Sequence, residues 1–279
     1  MEILSTSKRL QLDDVNLHYL DYGGTGPLGM LLLHGGGANA HWFDFIGPSL
    51  AQHGRVLAVD LRGHGDSTPA EPPVYTYEAY LQDIRALLNA EQIATPVLMG
   101  HSMVGILMVQ YAGTWPQEVH ALIVCDSRPV YSPEVTDFLR QTGQWQGREY
   151  ATQEDYIAHF RIRPDGLRAP QEIHRYIASH AGKQLPHGTW VHKMDRRVYA
   201  QRDAVDTLPF WQQVTCPTLF LRAEHSSRLT PALLQQIKDA CPQVESAEVA
   251  EAGHHLMLDQ PAQTVALVRE FLRRLQYIA

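Results

Sequence analysis

Through residue 126 the chain alternates short apolar runs with longer stretches whose apolar residues recur at helical spacing, the pattern of a parallel sheet covered by helices. Strands are predicted over 15–22, 30–33, 55–60, 96–99 and 121–125. The later ones are almost wholly apolar, as strands buried on both faces must be, and the first is expected at an edge. Between them, 77–89 places Tyr77, Tyr80, Leu81, Ile84, Leu87 and Leu88 on one helical face, and 103–111 is apolar almost all round, which predicts a buried helix. From about 130 to 210 the strand signal disappears, and helix-compatible stretches are broken at Pro133, Gly143, Pro164-Asp165-Gly166, Pro170, Pro186 and Gly188. Strand pattern resumes at 217–222, followed by a helix over 231–240, a strand over 244–249 and a closing amphipathic helix over 261–277. The expected organisation is a core made of 1–129 and 211–279, interrupted by a helical insert, 130–210.

The composition narrows the classes of function. Of 279 residues, 44% are hydrophobic and 19% charged, which suits a globular protein rather than a disordered one. The formal charge of −7 disfavours a nucleic-acid footprint. The insert carries 11 of the 23 basic and 10 of the 30 acidic residues, so a mouth built from it is not expected to steer charged ligands strongly. Cys125, Cys216 and Cys241 form no CxxC pair, which leaves a disulfide or metal framework without support and fits a reducing interior. The first residues lack the pattern of a secretory signal, and no apolar run approaches bilayer-spanning length, so a cytoplasmic location without a membrane span is expected.

The chemistry concentrates where a strand runs directly into a helix, at Pro96-Val97-Leu98-Met99-Gly100-His101-Ser102-Met103-Val104-Gly105. A serine hydroxyl is a poor nucleophile. It needs projection from the backbone, a base nearby, and free amide N–H groups to receive an oxyanion, all of which a sharp strand-to-helix turn supplies. The backbone is strained there and tolerates little neighbouring bulk, hence the Gly-x-Ser-x-Gly pattern. The blander reading of Ser102 is a turn serine capping a helix.

This segment and three others resemble the α/β-hydrolase family, in particular its capped serine esterases and lactonases, over essentially the whole chain. Gly100-His101-Ser102-Met103 resembles the nucleophile elbow, Leu33-His34-Gly35-Gly36-Gly37 the oxyanion loop, Asp60-Leu61-Arg62-Gly63-His64-Gly65-Asp66-Ser67 the loop after the next strand, and Ala252-Gly253-His254 the histidine turn. The resemblance implies an α/β-hydrolase fold, a mostly parallel sheet with helices on both faces and a helical cap between two core strands. It implies Ser102 as nucleophile, His254 as base and the N–H groups of Gly36 and Met103 as oxyanion hole. His255 is a competing base, and Asp60, Arg62, Asp66 and Ser67 read as structural.

Two departures stand out. Val104 replaces the elbow's second glycine, with Gly105 one step later. The acid usually found after the strand that follows the cap is missing: in Arg222-Ala223-Glu224-His225-Ser226-Ser227-Arg228 its position aligns with Ser226. Some members place the acid before the cap, where Asp126 stands; Glu224 is the alternative acid, and a surface role for Asp126 in a cap or a pair with Arg128 stays open. In either place the carboxylate would fix the base's tautomer and stabilise its positive charge.

The implied reaction is cofactor-free hydrolysis of a carboxylic ester or lactone of a small, partly apolar substrate through an acyl-enzyme. Carbon–carbon bond hydrolase, perhydrolase and amidase chemistry on the same triad, or a weakly catalytic ligand-binding receptor or scaffold, are the alternatives. A serine where epoxide hydrolases and dehalogenases need a carboxylate argues against those two. The histidines of the insert lack metal-ligand spacing, and Gly35-Gly36-Gly37 is followed by neither a P-loop Lys-Ser/Thr nor a dinucleotide fingerprint, so neither a metal nor a nucleotide is expected. Gly35, Gly37, His41, Trp42, Trp145 and Trp190 are the expected pocket residues: the glycines because after a buried strand they suit close backbone approach to a ligand, the aromatic ones because some must line any cleft under a cap.

Overall fold

The computed structural model describes residues 5–26, 28–145 and 147–278. Twelve strands occur among them: β1 (Thr6–Gln11), β2 (Asn16–Asp21), β3 (Leu28–Leu33), β4 (Gly54–Val59), β5 (Val97–His101), β6 (Ala121–Cys125), β7 (Val130–Tyr131), β8 (Gly182–Gln184), β9 (Trp190–His192), β10 (Val205–Asp206), β11 (Thr218–Ala223) and β12 (Glu245–Val249). Eight of them form one sheet in the order β1-β2-β4-β3-β5-β6-β11-β12. Pairing is antiparallel for β1 with β2 and for β2 with β4, and parallel from β4 onward.

The central strands lie where the apolar runs predict them because successive side chains enter opposite layers. Met30, Leu32, Val56, Ala58, Met99 and Ile123 pack into one core with the closing helix Pro261–Arg274. Leu31, Leu33, Leu57, Val59, Leu98 and Val124 pack into the other with the helices Tyr77–Ala90 and Met103–Thr114. The helix Tyr77–Ala90 starts at Thr76, whose hydroxyl accepts from the Ala79 N–H (3.2 Å). It buries the predicted face except for Tyr77, which is half-buried, with Asp83 added through its ion pair to Arg62 (2.6 Å).

The predicted edge strand is corrected. β2 sits second, and β1, missed in the sequence, forms the edge; its burial alternates between exposed and half-buried, so Thr-Ser-Lys-Arg-Leu-Gln carries no apolar run to betray it. Between β6 and β11 the chain leaves the sheet. That excursion holds the helices Pro133–Gly143, Gln153–His159 and Gln171–Ala181, together with two short ribbons, β7 with β10 and β8 with β9, where only helix was expected. Among the described residues no helix is long and apolar enough to cross a membrane.

Asp60, fully buried after β4, accepts from the Ala40 N–H (2.6 Å), the Asp66 N–H (2.8 Å) and His18 Nδ1 (2.7 Å). It ties the loop after β3 to the loop after β4. The parallel strands thereby deliver their following loops to one end of the sheet, the place where open α/β sheets build sites.

Candidate active site

Ser102 follows β5 with φ +56° and ψ −126°, a backbone state that β-substituted residues rarely hold and that persists only when its surroundings fix it. Its N–H donates to the Cys125 carbonyl (2.9 Å), while its hydroxyl caps nothing in the helix Met103–Thr114. The capping reading is thereby set aside. Gly35 lets the elbow pack closely, since a Cβ there would lie 3.0 Å from both His101 Nδ1 and Ser102 Cβ, tighter than ordinary contacts.

The Val104 departure has a physical resolution. Val104 is fully buried in the second core, and the close approach is made by Gly105, where a Cβ would lie 2.5 Å from Ser127 Cβ and 3.0 Å from Val124 Cγ1. The need for a glycine has moved one residue along the helix. Gly105→Val should therefore cost about 1–3 kcal/mol by overpacking, read as a lower urea midpoint at unchanged slope. An unchanged midpoint would show that the approach is slack.

Three side chains from three loops converge. Assigned from its partners, the tautomer of His254 places a proton on Nδ1, which donates to Asp126 Oδ2 (2.6 Å), and leaves Nε2 to accept from the Ser102 hydroxyl (2.9 Å). Asp126 itself sits at φ +45°. Its Oδ1 accepts from the Ala223 N–H (3.1 Å) and its Oδ2 from the Ser226 hydroxyl (2.6 Å). Ser226, the residue at the family's usual acid position, thus holds the carboxylate that stands in the other place. The sequence marked Ser226 only as a missing acid. Glu224 faces elsewhere, accepting from the Glu251 N–H (2.8 Å) with its side chain 39% exposed. Arg128 lies over the Tyr131 ring rather than pairing with Asp126.

Burial, with Arg228 and Arg128 nearby, holds His254 well below the ordinary imidazole value, so the ring is neutral and able to accept a proton at pH 7. Burial pushes Asp126 up, against the Ser226 and Ala223 hydrogen bonds that favour its ionised form. The histidine turn is anchored by Asp259, which accepts from the Gly253 N–H (2.8 Å) and from Arg168 N–H (2.7 Å) and Ala169 N–H (2.9 Å) of the excursion. His101 Nε2 donates to the His254 carbonyl (2.9 Å). His255 instead reaches the Pro164 carbonyl (3.0 Å), which removes it as the base facing Ser102.

His34 sets the loop after β3. Its Nε2 accepts from the Leu61 N–H (3.1 Å), so its Nδ1–H donates to the Gly35 carbonyl (2.8 Å). Gly35 C=O and Gly36 N–H belong to one trans peptide, and holding the carbonyl aims the amide the opposite way. Gly36 and Met103 both line the space in front of Ser102, and Met103, as first residue of its helix, has an N–H with no partner one turn back.

That space is a cleft of about 560 Å³ reached by Ser102, His254, the exposed Phe138 and Trp145, and Arg128, Arg202 and Arg228. Of the expected pocket residues, Trp145 lines it. Gly35, Gly37, His41, Trp42 and Trp190 do not line this cleft. Gly35 backs the elbow, and Gly37 packs toward Tyr199 and Met194. His41 is held by Asp44 (2.7 Å) and packs at a tilt against His180, Trp42 is buried against His101 and His255, and Trp190 pairs in β9. The expectation of a weakly charged mouth is also corrected: it counted the insert alone, whereas Arg128 and Arg228 of the core join Arg202 of the insert around the cleft.

Among the described residues, three groups of side chains bring donor atoms within 4.8 Å of one another: His101 with His254 and His255, His18 with Asp60 and Asp66, and Glu224 with His225 and Glu251. In the first, both nitrogens of His254 are already engaged by Asp126 and Ser102.

Residues 30–261 match the model of the alpha/beta hydrolase fold family. The chain is 26% identical over 273 residues to a 2-(acetamidomethylene)succinate hydrolase of Mesorhizobium japonicum, covering 95% of each. It is 27% identical over 282 residues to the mouse sn-1-specific diacylglycerol lipase ABHD11, covering 92% of this chain and 85% of that one. The crystal structure of an E-2-(acetamidomethylene)succinate hydrolase superposes with a TM-score of 0.85 at 24% identity over 97% of this chain and all of the other, a likeness of fold. With the sheet order, the elbow and the histidine turn in place, this chain belongs to the alpha/beta hydrolase fold family.

Proposed function

We infer that this hydrolase-fold protein cleaves a carboxylic ester or lactone of a small, partly apolar substrate through an acyl-enzyme. The observation that carries this reading is the unbroken chain from Ser102 Oγ through His254 to Asp126, set at a strained elbow. His254 takes the Ser102 proton as the hydroxyl attacks the carbonyl, and the N–H groups of Gly36 and Met103 receive the oxyanion. His254 then returns the proton to the leaving group, and water releases the acyl group by the reverse route. Asp126 keeps His254 in the required tautomer. The excursion, 130–210, acts as a cap whose Phe138 and Trp145 meet the apolar part of the substrate. The name of the mouse relative, a lipase, supports ester chemistry.

A fluorophosphonate probe tests the reading, since only an activated serine reacts at a useful rate. The expected result is labelling of the native protein and none of Ser102→Ala. The groups facing His254 are Asp126, His101, His255, Arg128 and Arg228. With its pKa held below the free value of about 6.5, the imidazole protonates only in acid. Labelling should be flat from neutral pH downward and fall only below about pH 6. Labelling that persists in Ser102→Ala, or an acid limb centred above neutrality, contradicts the assignment.

A further inference from the structure

We propose that the cleft selects substrates bearing a carboxylate, seated on Arg202 and flanked by Arg128 and Arg228, while the scissile acyl group faces Ser102. This inference rests on the ester-cleaving reading above and names its substrate class. Arg202 is 2% exposed, yet both terminal nitrogens of its guanidinium have no hydrogen-bond partner. Its guanidinium carbon lies over the rings of Tyr77 and Tyr80, 5.9 and 5.7 Å from their centres, neutral neighbours that stabilise a cation without neutralising it. A buried ion without a counter-charge is costly, and a guanidinium fork is the group best matched to a planar carboxylate.

The acids near it are committed elsewhere. Asp203 faces Arg140 (2.9 Å), Asp206 accepts from the Leu208 N–H (2.9 Å), and Asp165, which also lines the cleft, pairs with Arg163. Among the described residues, no ion pair involves Arg128, Arg202 or Arg228. Arg128 lies over Tyr131, and Arg128 and Arg228 are both close enough to His254 to act on its charge. The cleft therefore offers three guanidinium groups without a carboxylate partner, against the buried Asp126 behind the imidazole. Val135, Phe138, Leu139 and Trp145 also line the cleft and supply apolar surface. A cleft with both kinds of lining fits an acyl chain with a hydrocarbon middle and an anionic end.

The test compares p-nitrophenyl hemiadipate with p-nitrophenyl hexanoate, which differ by the terminal carboxylate, in the native protein and in Arg202→Met and Arg128→Gln. The native protein should favour the anionic ester by at least about tenfold in kcat/KM. The ratio should fall toward about one in Arg202→Met. Should that buried substitution not fold, Arg128→Gln, at the half-buried rim, is expected to lower the ratio by about threefold.

Calorimetric binding of adipate and of inorganic phosphate to Ser102→Ala separates the anion site from the reaction. Adipate binding to a protein that cleaves neither ester would sustain the anion site and overturn the ester reading. Cleavage of both esters without preference, with no adipate binding, would overturn the anion site and leave the ester reading standing. Phosphate binding tighter than adipate would overturn the carboxylate assignment.

Discussion

Ser102→Ala should lower kcat/KM for a short p-nitrophenyl ester by about 10³- to 10⁶-fold while leaving the unfolding midpoint close to that of the native protein. The asymmetry follows from position. The Ser102 hydroxyl caps no helix N–H, and its hydrogen bond is to His254, so its loss removes reactivity but little stability. Relief of the positive-φ strain does not enter, because alanine has the same Cβ restriction as serine. Residual turnover would reflect Gly36, Met103 and binding alone. Steady-state kinetics on a preparation free of native enzyme decide it; a loss of less than about tenfold would place the nucleophile elsewhere.

Asp126→Asn should cost about 10⁴-fold in kcat, and Glu224→Gln little. An amide at position 126 has a donor edge that competes for His254 Nδ1 and turns the ring to the wrong tautomer, whereas Glu224 accepts from the Glu251 N–H and lies beside His225, away from His254. Ser226→Ala should fall between the two, because it removes one of the hydrogen bonds that favour ionised Asp126 against its burial while leaving the Ala223 N–H in place. Matched kinetics on the three variants test the order. If Glu224→Gln were the most damaging, the acid would have to be reassigned.

The parts of this protein that read clearly are those in which local pattern and tertiary environment demand the same residues. Strand β6 and the helix Pro231–Ala240 lie where periodicity puts them, because wholly apolar strands and a Thr-Pro helix start leave few alternatives. Ser102 and His254 meet because the elbow and the histidine turn each carry a strong backbone requirement that shows in neighbouring glycines.

What was hidden depends on contacts between distant segments. β1 is polar because it lies at an edge, and Trp42, chosen as an apolar lining for the cleft, faces the core instead. Ser226 is 100 residues from Asp126 in sequence, and no local signal announces that a hydroxyl at the usual acid position would support an acid placed elsewhere. The arginines come from both the core and the excursion, so a charge count over either segment averages them away; only the fold brings Arg128, Arg202 and Arg228 to one cleft.

The central claim is that the Ser102 hydroxyl becomes covalently acylated. Acid-quenching a reaction with an excess of activated ester and mapping the digested protein by mass spectrometry tests it directly. The expected result is one acyl group, located on Ser102 and absent from the Ser102→Ala protein. An ester cleaved at full rate with no acyl adduct under conditions where deacylation is slow, or with the adduct on another side chain, would contradict it.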